Sequence, residues 1–433
     1  MSDVSHQPQP TGLSERECSS SKCYKEENKQ MIKRLFGARP LLILVAGLVT
    51  LSLIASACAP ASPSPASTQA PVATQQPIKS EATTAPTKPT VVTSATEPAT
   101  GSPSSACPPT GSATSLNGAG ATFPMPLYTR WFDEYNKMCG IKVNYQGIGS
   151  GGGIKQHTEK TVDFGASDGI MTDKQKQDAA GSLMIPMTAG AVAVIVNLPN
   201  IQNGQLKLTP ETLSGIYLGK ITKWNDPKVA ADNSGLTLPD QKITVVRRAD
   251  GSGTTNIFTT YLSQISAEWK DKVGKGNSVQ WPTGIGGEGN AGVAGQVRQI
   301  PGSIGYVELA YASQNKLTWT AVKNQAGNFV EPSLPATTAA MEGVEVPDST
   351  EVMITNSANP DAYPIVGLTW IIVYENQKDK AKAQTLAQLL WWCVHDGQRM
   401  TADLEYAALS PKMVQKAEAL IKKIKVDGQP VLR

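Results

Sequence analysis

The sequence predicts an α/β protein, and three features carry this prediction. From about residue 113 onward, short apolar runs typical of strands alternate with longer stretches of helical periodicity. Several of the apolar runs end in glycine-rich turns that lead directly into a helix. The chain has 433 residues, which is enough for two packed domains. We therefore expect α/β lobes with mainly parallel sheets and a ligand at the carboxyl ends of the strands.

The alternation of apolar runs and helical stretches covers the chain from residue 113 to its end. The predicted strands include 141–145, 162–165, 192–197, 243–247 and 365–374. The predicted helices include 127–138, 172–180, 210–218, 254–263 and 381–394.

The charge of the chain argues against a basic surface for nucleic acid. The formal net charge is +3, and the first 57 residues carry 7 basic and 5 acidic side chains. The remaining 32 basic and 31 acidic side chains leave the rest of the chain nearly neutral. An anionic ligand would therefore have to be held by local geometry and not by an overall positive field.

Residues 1–57 are interpreted as a leader that ends in an export signal. A basic stretch follows Met31, an apolar run covers 41–55, and Ser56-Ala57-Cys58 closes it. Small residues before a cysteine are typical of a lipoprotein signal, which makes Cys58 the predicted lipid-anchor site. The alternative is an ordinary signal peptide followed by an unmodified cysteine. Because residues 1–30 are polar and fit no part of a signal, we expect the true start at Met31.

Residues 58–112 are expected to form a lipid-anchored, disordered linker. This stretch consists almost entirely of proline, serine, threonine, alanine and glutamine, which cannot bury a core. Of the six cysteines in the chain, Cys107 and Cys139 are expected to form a disulfide, because disulfides form outside the cytoplasm. Cys393 stands among leucine and tryptophan and is expected to be a buried thiol.

Three glycine-rich segments share one design, in which a strand, a turn with small hydroxyl residues and a helix follow one another. They lie at 118–124, 147–153 and 250–255. A helix N-terminus offers unpaired backbone N–H groups, and glycine lets the backbone approach an anion closely. Serine and threonine also cap helices for purely structural reasons, so one such segment alone indicates little. Three of them favour a cage of helix N-termini around an anion.

Charged residues stand beside these segments. Arg247 and Arg248 end the strand before the third segment, and strand alternation would point one of them inward. Asp168 follows another predicted strand. An ionised carboxylate only accepts hydrogen bonds, so in an anion site it would require a ligand that still carries a proton. Phosphate near neutral pH keeps a proton and sulfate keeps none. The alternatives for Asp168 are a helix cap or a salt bridge to arginine.

Seven segments closely resemble the PstS family, the phosphate-binding components of bacterial phosphate ABC transporters. The resemblance runs from about residue 116 to the C-terminus and is carried by 118–126, 143–156, 162–168, 217–227, 243–258, 281–292 and 302–312.

The resemblance implies a two-lobed Venus-flytrap fold of the type II periplasmic-binding-protein kind, with dehydrated phosphate in the cleft. Lobe I would combine 113–190 with 365–433, and lobe II would cover 195–360. The two crossover segments of the hinge are expected at 191–197 and 364–374. Lobe I would supply the first wall of the cleft and lobe II the second wall.

The ligand positions of the family are matched here residue by residue. Asp250 is expected to orient Arg248 and not to touch the ligand. The implied phosphate-binding residues are Thr122, Phe123 (through its backbone N–H), Ser150, Asp168, Arg248, Asp250, Ser252, Gly253 and Thr254.

The resemblance also implies partners and a location. Phosphate would be delivered to an ABC permease with a cytoplasmic ATPase, from the extracytoplasmic face of the membrane, and arsenate would compete with it. No metal, other cofactor or enzymatic activity is expected. The sequence departs from relatives at Gly169-Ile170, where Ala-Pro is common, and at Trp391-Trp392-Cys393.

A hydrolase and a receptor for another oxyanion are the two alternatives to phosphate binding. A hydrolase is disfavoured because neither 149–151 nor 251–253 completes a G-x-S-x-G nucleophile turn, and only three histidines occur. A receptor for sulfate, molybdate or a phosphonate stays open, although Asp168 argues against fully ionised anions. His157, near the second segment, is expected to be an exposed helix residue and not a pH-sensitive cleft residue.

Overall fold

The core of the protein is a mixed β-sheet, seen in a computed structural model that describes residues 106–432. Its strands are β1 (Ser115–Gly120), β2 (Lys142–Gly147), β3 (Phe164–Ser167), β4 (Ser182–Val196), β6 (Thr244–Arg248), β7 (Ile285–Gly287), β8 (Ser303–Glu308), β9 (Thr318–Trp319) and β12 (Val366–Tyr374). The order of these strands in the sheet is β2-β1-β3-β12-β4-β8-β6-β7, with β9 beside β4.

Short strands and helices complete the described part of the chain. The short strands form two three-stranded sheets and comprise β5 (Lys207–Leu208), β10 (Ala321–Lys323), β11 (Phe329–Val330), β13 (Asn376–Gln377), β14 (Lys425–Val426) and β15 (Gln429–Pro430). The α-helices are α1 (Met125–Cys139), α2 (Ser150–Thr158), α3 (Asp173–Asp178), α4 (Pro210–Tyr217), α5 (Pro227–Asp232), α6 (Gly253–Ile265), α7 (Ala267–Lys272), α8 (Gly289–Gln299), α9 (Leu309–Gln314), α10 (Leu334–Met341), α11 (Lys380–Val394) and α12 (Pro411–Ile421). Two 3₁₀ turns, Asp396–Met400 and Ala402–Leu404, link the last two helices.

Strand β4 runs through the middle of the sheet and is buried over nearly its whole length. Its first part pairs with β12 from Ser182 to Ala191, and its last part pairs with β8 from Val192 to Val196. Pro186 lies where the pairing with β12 shifts register, which fits a residue without a backbone N–H. One long strand thus connects the β1–β3 side of the sheet to the β6–β8 side.

The expectation of mainly parallel sheets is wrong for the centre of the sheet. β12 runs antiparallel to both β3 and β4, and β4 runs antiparallel to β8. Only the flanks are parallel, in the pairs β1–β2, β1–β3, β6–β7 and β6–β8. Because β12 comes from the C-terminal part of the chain and inserts beside β3, local alternation along the sequence could not reveal its direction.

The other structural expectations are mostly confirmed. Each named strand and helix is present, although β4 begins ten residues before the expected 192. Cys107 and Cys139 form a disulfide with a Cα–Cα distance of 5.4 Å. Cys393 is a fully buried thiol. Met31, Cys58 and nearly all of the leader and linker lie outside the described residues.

The flanking strands bring five loops to the functional region. β1, β2 and β3 are parallel, so the loops after Gly120, Gly147 and Ser167 leave the same edge of the sheet. The loops after β6 and β7 likewise leave one edge and lead into α6 and α8. Within residues 106–432, no helix has both the length and the apolar composition needed to cross a membrane.

Candidate anion-binding site

The loop between β1 and α1 carries Thr122 and Phe123, both of which are buried. Tyr311 donates a hydrogen bond to the Thr122 carbonyl at 2.6 Å, and Tyr406 donates one to the Phe123 carbonyl at 2.7 Å. The Phe123 ring packs edge-on against Tyr406. These contacts fix both peptide groups of the loop immediately before α1 begins at Met125.

Ser150 begins α2 and is fully buried. Its hydroxyl oxygen accepts from the backbone N–H of Asp168 at 3.2 Å and from that of Gly253 at 3.0 Å. The loop before it passes so close to the second wall that a Cβ at Gly149 would lie 2.3 Å from Asp250 Oδ2. The backbone at Gly149 also has a φ of 82°, which glycine adopts most easily. Glycine is therefore required at position 149, because the loop lies so close to Asp250.

Asp168 lies immediately after β3 and is 1% exposed. Thr369 of β12 donates to its Oδ1 at 2.8 Å, and the Ser150 hydroxyl lies 3.5 Å from its Oδ2. Burial raises the pKa of Asp168 to about 7, even though these hydroxyls and the charge of Arg248 act in the opposite direction. Its ionisation therefore depends on pH in the neutral range.

Arg248, at the end of β6, is 2% exposed and points inward as alternation allowed. Its Nε donates to Asp250 Oδ1 at 2.8 Å, and its Nη2 donates to the other carboxylate oxygen. Asp250 also accepts from the Gly289 N–H at 3.1 Å. Burial alone would raise the pKa of Asp250, but the hydrogen bonds and charge of Arg248 outweigh it and lower the pKa. The expectation that Asp250 orients Arg248 agrees with this geometry.

Ser252, Gly253 and Thr254 form the N-terminal turn of α6, and all three are buried. The Ser252 hydroxyl caps the helix by accepting from the Thr255 N–H at 3.0 Å. A Cβ at Gly253 would lie 2.5 Å from Ser150 Oγ, so only glycine fits there. The Gly253 N–H is directed at Ser150, and Arg248 Nη1 lies 3.4 Å from Thr254 Oγ1.

The structure thus brings all nine sequence-predicted residues together, eight of them buried and Asp250 half-buried, with contacts between the two predicted walls. It also adds residues that the sequence analysis missed. Asn290 of α8 is fully buried, and its Nδ2 donates to Thr122 Oγ1 at 2.9 Å. Its segment, Gly286 to Asn290, has the same strand, glycine-rich turn and helix design as the other three loops. This design was the signal that could have found it.

A second missed group is Glu308 with Tyr406 behind the Phe123 loop. Glu308 is fully buried, and its Oε2 lies 2.8 Å from the Tyr406 hydroxyl. The Tyr406 hydroxyl thus has two acceptors, the Phe123 carbonyl and Glu308, for its single hydrogen. Burial raises the pKa of Glu308 well above its usual range, which favours the neutral form of its carboxyl group and limits the negative charge near the site.

The expectation that His157 is an exposed helix residue is wrong. His157 is 1% exposed, and its ring stacks on Tyr374 with centroids 4.3 Å apart. Its Nε2 lies 2.8 Å from Ser182 Oγ. The Ser182 hydroxyl donates to the Ala179 carbonyl, so it must accept from an Nε2–H of the histidine. Burial lowers the pKa of His157 to about 4, which keeps the ring neutral.

The arrangement is a cage of donors that also contains two carboxyl groups, the buried Asp168 and the Arg248-paired Asp250. The donors are backbone N–H groups at helix N-termini, hydroxyl groups and one guanidinium group. Donors of this kind bind oxyanions. The fold, in which two parallel flanks are joined by long central strands with such a cage at the strand ends, defines a solute-binding protein of the periplasmic-binding-protein class.

Comparisons with known proteins agree with this class and narrow it. The profile of the PBP superfamily domain matches residues 67–395. The phosphate-binding protein PstS of Xylella fastidiosa (strain Temecula1) is 47% identical over 306 residues, covering 70% of this chain and 84% of that protein. PstS of Pasteurella multocida is 44% identical over 312 residues, covering 71% of this chain and 90% of that protein. The chain belongs to the PstS family of phosphate-binding proteins.

Solved structures show the same fold at low sequence identity. A phosphate-binding protein from Stenotrophomonas maltophilia is 20% identical with a TM-score of 0.55, covering 71% of this chain and 94% of that one. A human phosphate-binding apolipoprotein is 19% identical with a TM-score of 0.58, covering 70% of this chain and 93% of that one.

Proposed function

We propose that this protein binds one inorganic phosphate in the anion cage and delivers it to an ABC importer from the extracytoplasmic side of a membrane. The observation that carries the proposal is Asp168, a buried carboxyl group among donors that would otherwise suit any oxyanion. The membership in the PstS family supports the same ligand.

The donors of the cage would bind phosphate, and Asp168 would distinguish an anion that carries a proton from one that does not. Arg248, held in place by Asp250, would contribute charge-assisted hydrogen bonds. Ser150, Thr122 and the N-terminal turn of α6 would contribute neutral ones. Phosphate near neutral pH presents an O–H, which an ionised Asp168 would accept. Sulfate would place an unprotonated, repelled oxygen against the same carboxylate, which costs several kcal/mol.

The same residues would couple binding to closure of two lobes. The proposed lobe I (113–190 and 365–433) supplies Thr122, Ser150 and Asp168, and lobe II (195–360) supplies Arg248 and α6. The change of β4 partners near Ala191 supports a crossover there. The hydrogen bond from the Val192 N–H to the Ile365 carbonyl, at 2.7 Å, supports a second crossover beside it. A ligand that contacts both walls binds the closed state more tightly and shifts the population toward it.

Anchoring at Cys58 and the permease and ATPase partners complete the proposal. If Cys58 carries the lipid, Cys58→Ala should release the exported protein from the membrane fraction while leaving phosphate binding intact. A variant that stays with the membrane would refute the anchor without affecting the ligand proposal.

Calorimetric titration of the purified protein with phosphate, sulfate and arsenate tests the ligand. We expect one phosphate per chain, competition by arsenate and no response to sulfate at pH 8. Sulfate binding without a response to phosphate would overturn the proposal. An assay with an aryl phosphate substrate should give no turnover. Turnover that disappears in the same variants that lose phosphate binding would indicate a hydrolase instead.

A further inference from the structure

Asn290 joins the two walls of the cage through hydroxyl groups. Its Nδ2 donates to Thr122 Oγ1 at 2.9 Å and to Thr254 Oγ1 at 3.1 Å. Its backbone N–H donates to Thr122 Oγ1 as well, at 3.2 Å. Thr122 belongs to the β1–α1 loop and Thr254 to α6, so one buried side chain holds a hydroxyl on each side.

The orientation of the Asn290 amide is fixed by its third partner. The backbone N–H of Glu308 lies 3.0 Å from Oδ1 of the amide. A backbone N–H can only donate, so the oxygen of the amide must face Glu308. The NH₂ group therefore faces the two threonines, and both of its hydrogens are used.

This orientation determines what the threonine hydroxyls can do. A hydroxyl group has two acceptor lone pairs and one hydrogen. Thr122 Oγ1 accepts from the side chain and the backbone of Asn290, and Thr254 Oγ1 accepts from Asn290 and Arg248 Nη1. With the lone pairs occupied, each hydroxyl hydrogen must point to a different acceptor.

We propose that Asn290 is a positioning residue that directs the Thr122 and Thr254 hydroxyl hydrogens toward the bound anion. The role rests on the proposed function, because it requires an anion between these hydroxyls. Without the amide, each threonine hydroxyl can rotate and donate elsewhere. A hydrogen bond to a charged ligand is worth about tenfold to a hundredfold in affinity, so Asn290→Ala should weaken anion binding by about that factor.

A double-mutant cycle between Asn290→Ala and Thr122→Val tests the mechanism. If Asn290 acts through the Thr122 hydroxyl, the phosphate affinity of the double variant should be about equal to the lower of the two single-variant affinities. Independent, additive losses in the cycle would overturn the proposal, because a merely structural asparagine does not need the hydroxyl.

Asn233 provides a matched control. It is 4% exposed, its Nδ2 donates to the carbonyls of Lys207 and Val229, and its Oδ1 accepts from the Lys207 N–H. Asn233→Ala therefore removes the same number of side-chain hydrogen bonds, three, outside the cage. It should lower thermal stability and leave the phosphate affinity unchanged. An equal affinity loss in both alanine variants would contradict a specific role for Asn290.

Asn290→Asp keeps the side-chain volume and the acceptor for Glu308, and it replaces the alanine variant if that does not fold. Its ionised carboxylate would accept from both threonines and turn their hydrogens away from the anion. A protonated carboxyl group can donate again, so the affinity relative to wild type should recover as the pH falls from 8 to 5. A constant ratio would overturn the proposal.

Repeating these titrations with sulfate and arsenate separates the two proposals. If the wild type binds sulfate but not phosphate and the coupling persists, the proposed function fails and the role of Asn290 stands. If phosphate binds and the coupling is absent, only the role of Asn290 fails. A wild type that binds none of the three anions would refute both.

Discussion

Replacing Asp168 by asparagine should collapse the discrimination between phosphate and sulfate. With a pKa of about 7, most of Asp168 should be ionised at pH 8 in the protein without ligand. An ionised carboxylate accepts from a protonated phosphate and repels sulfate. Asparagine keeps the shape, removes the charge and supplies an NH₂ group that can donate to either anion.

The expected magnitudes follow from these changes. Phosphate loses one charge-assisted hydrogen bond, which weakens its binding by about tenfold to a hundredfold. Sulfate escapes a repulsion worth several kcal/mol, so its affinity should rise. Together these changes should reduce the phosphate-to-sulfate affinity ratio by at least about a hundredfold at pH 8. A second signature is pH dependence, because wild-type sulfate binding should strengthen as the pH falls through about 7 and Asp168 gains a proton.

Calorimetry of the wild type and of Asp168→Asn with both anions, from pH 5 to pH 9, measures the ratio and its pH dependence. Asp163→Asn is a suitable control because Asp163 belongs to the same part of the chain and pairs with Lys382 outside the cage. If phosphate and sulfate lose affinity equally in Asp168→Asn, Asp168 is structural and the reasoning is wrong. The pH dependence of sulfate binding should vanish in the variant, and its persistence would point to another group.

Three further predictions concern residues around the cage. A lysine at position 248 cannot reproduce the two-point contact of the guanidinium with Asp250. Arg248→Lys should therefore weaken phosphate binding by about a hundredfold in a calorimetric titration. Retained affinity would exclude a direct role for the guanidinium. A Cβ at Gly169 would lie 2.4 Å from Asn277 Oδ1, so Gly169→Ala requires the end of the Asn277 side chain to move, and phosphate affinity should fall by at most about tenfold. The protection of amides in the sheet from hydrogen exchange should not change. His157 has a folded pKa of about 4 against an unfolded value near 6.5, so the stability that it contributes is present above pH 6.5 and is lost as the pH falls to about 4, by roughly 3 kcal/mol. Urea unfolding across that range should show a shallower pH slope for His157→Gln, and equal slopes would mean that the histidine is not buried neutral.

The loops around the cage are easier to predict from the sequence than the pairing within the sheet. A glycine-rich turn between a strand and a helix is a local signal, so the positions of Ser150 and Thr254 at helix N-termini can be predicted from a few neighbouring residues. The antiparallel centre of the sheet depends on a pairing between β12 and β3 about 200 residues apart, which local periodicity does not encode. The burial of His157 depends on Tyr374 in the same way.

Gly169, a departure from the family pattern, and Asn290, in a turn to which the sequence assigned no role, are both explained by contacts that only the three-dimensional structure shows. Along the sequence, the glycine after Asp168 had no firm explanation. In the structure, the position faces Asn277, which leaves no space for a larger residue without movement. Asn290 lay within a segment that carried the family resemblance, but its role became apparent only when Thr122 and Thr254 were brought to the same amide.

The charges in the cage explain why a nearly neutral protein can hold an anion. Asp250 largely offsets the positive charge of Arg248, and burial favours the neutral form of Glu308. Asp168 adds negative charge when it is ionised, so little net positive charge remains to attract the ligand from a distance. The attraction must come from groups within hydrogen-bonding distance, namely the Arg248 guanidinium and oriented dipoles such as helix N-termini and hydroxyls whose hydrogens are set by their neighbours. Because such dipoles act only at hydrogen-bonding distance, selectivity depends on the position of each hydrogen, and this makes the orientation imposed by Asn290 and the proton state of Asp168 parts of one mechanism.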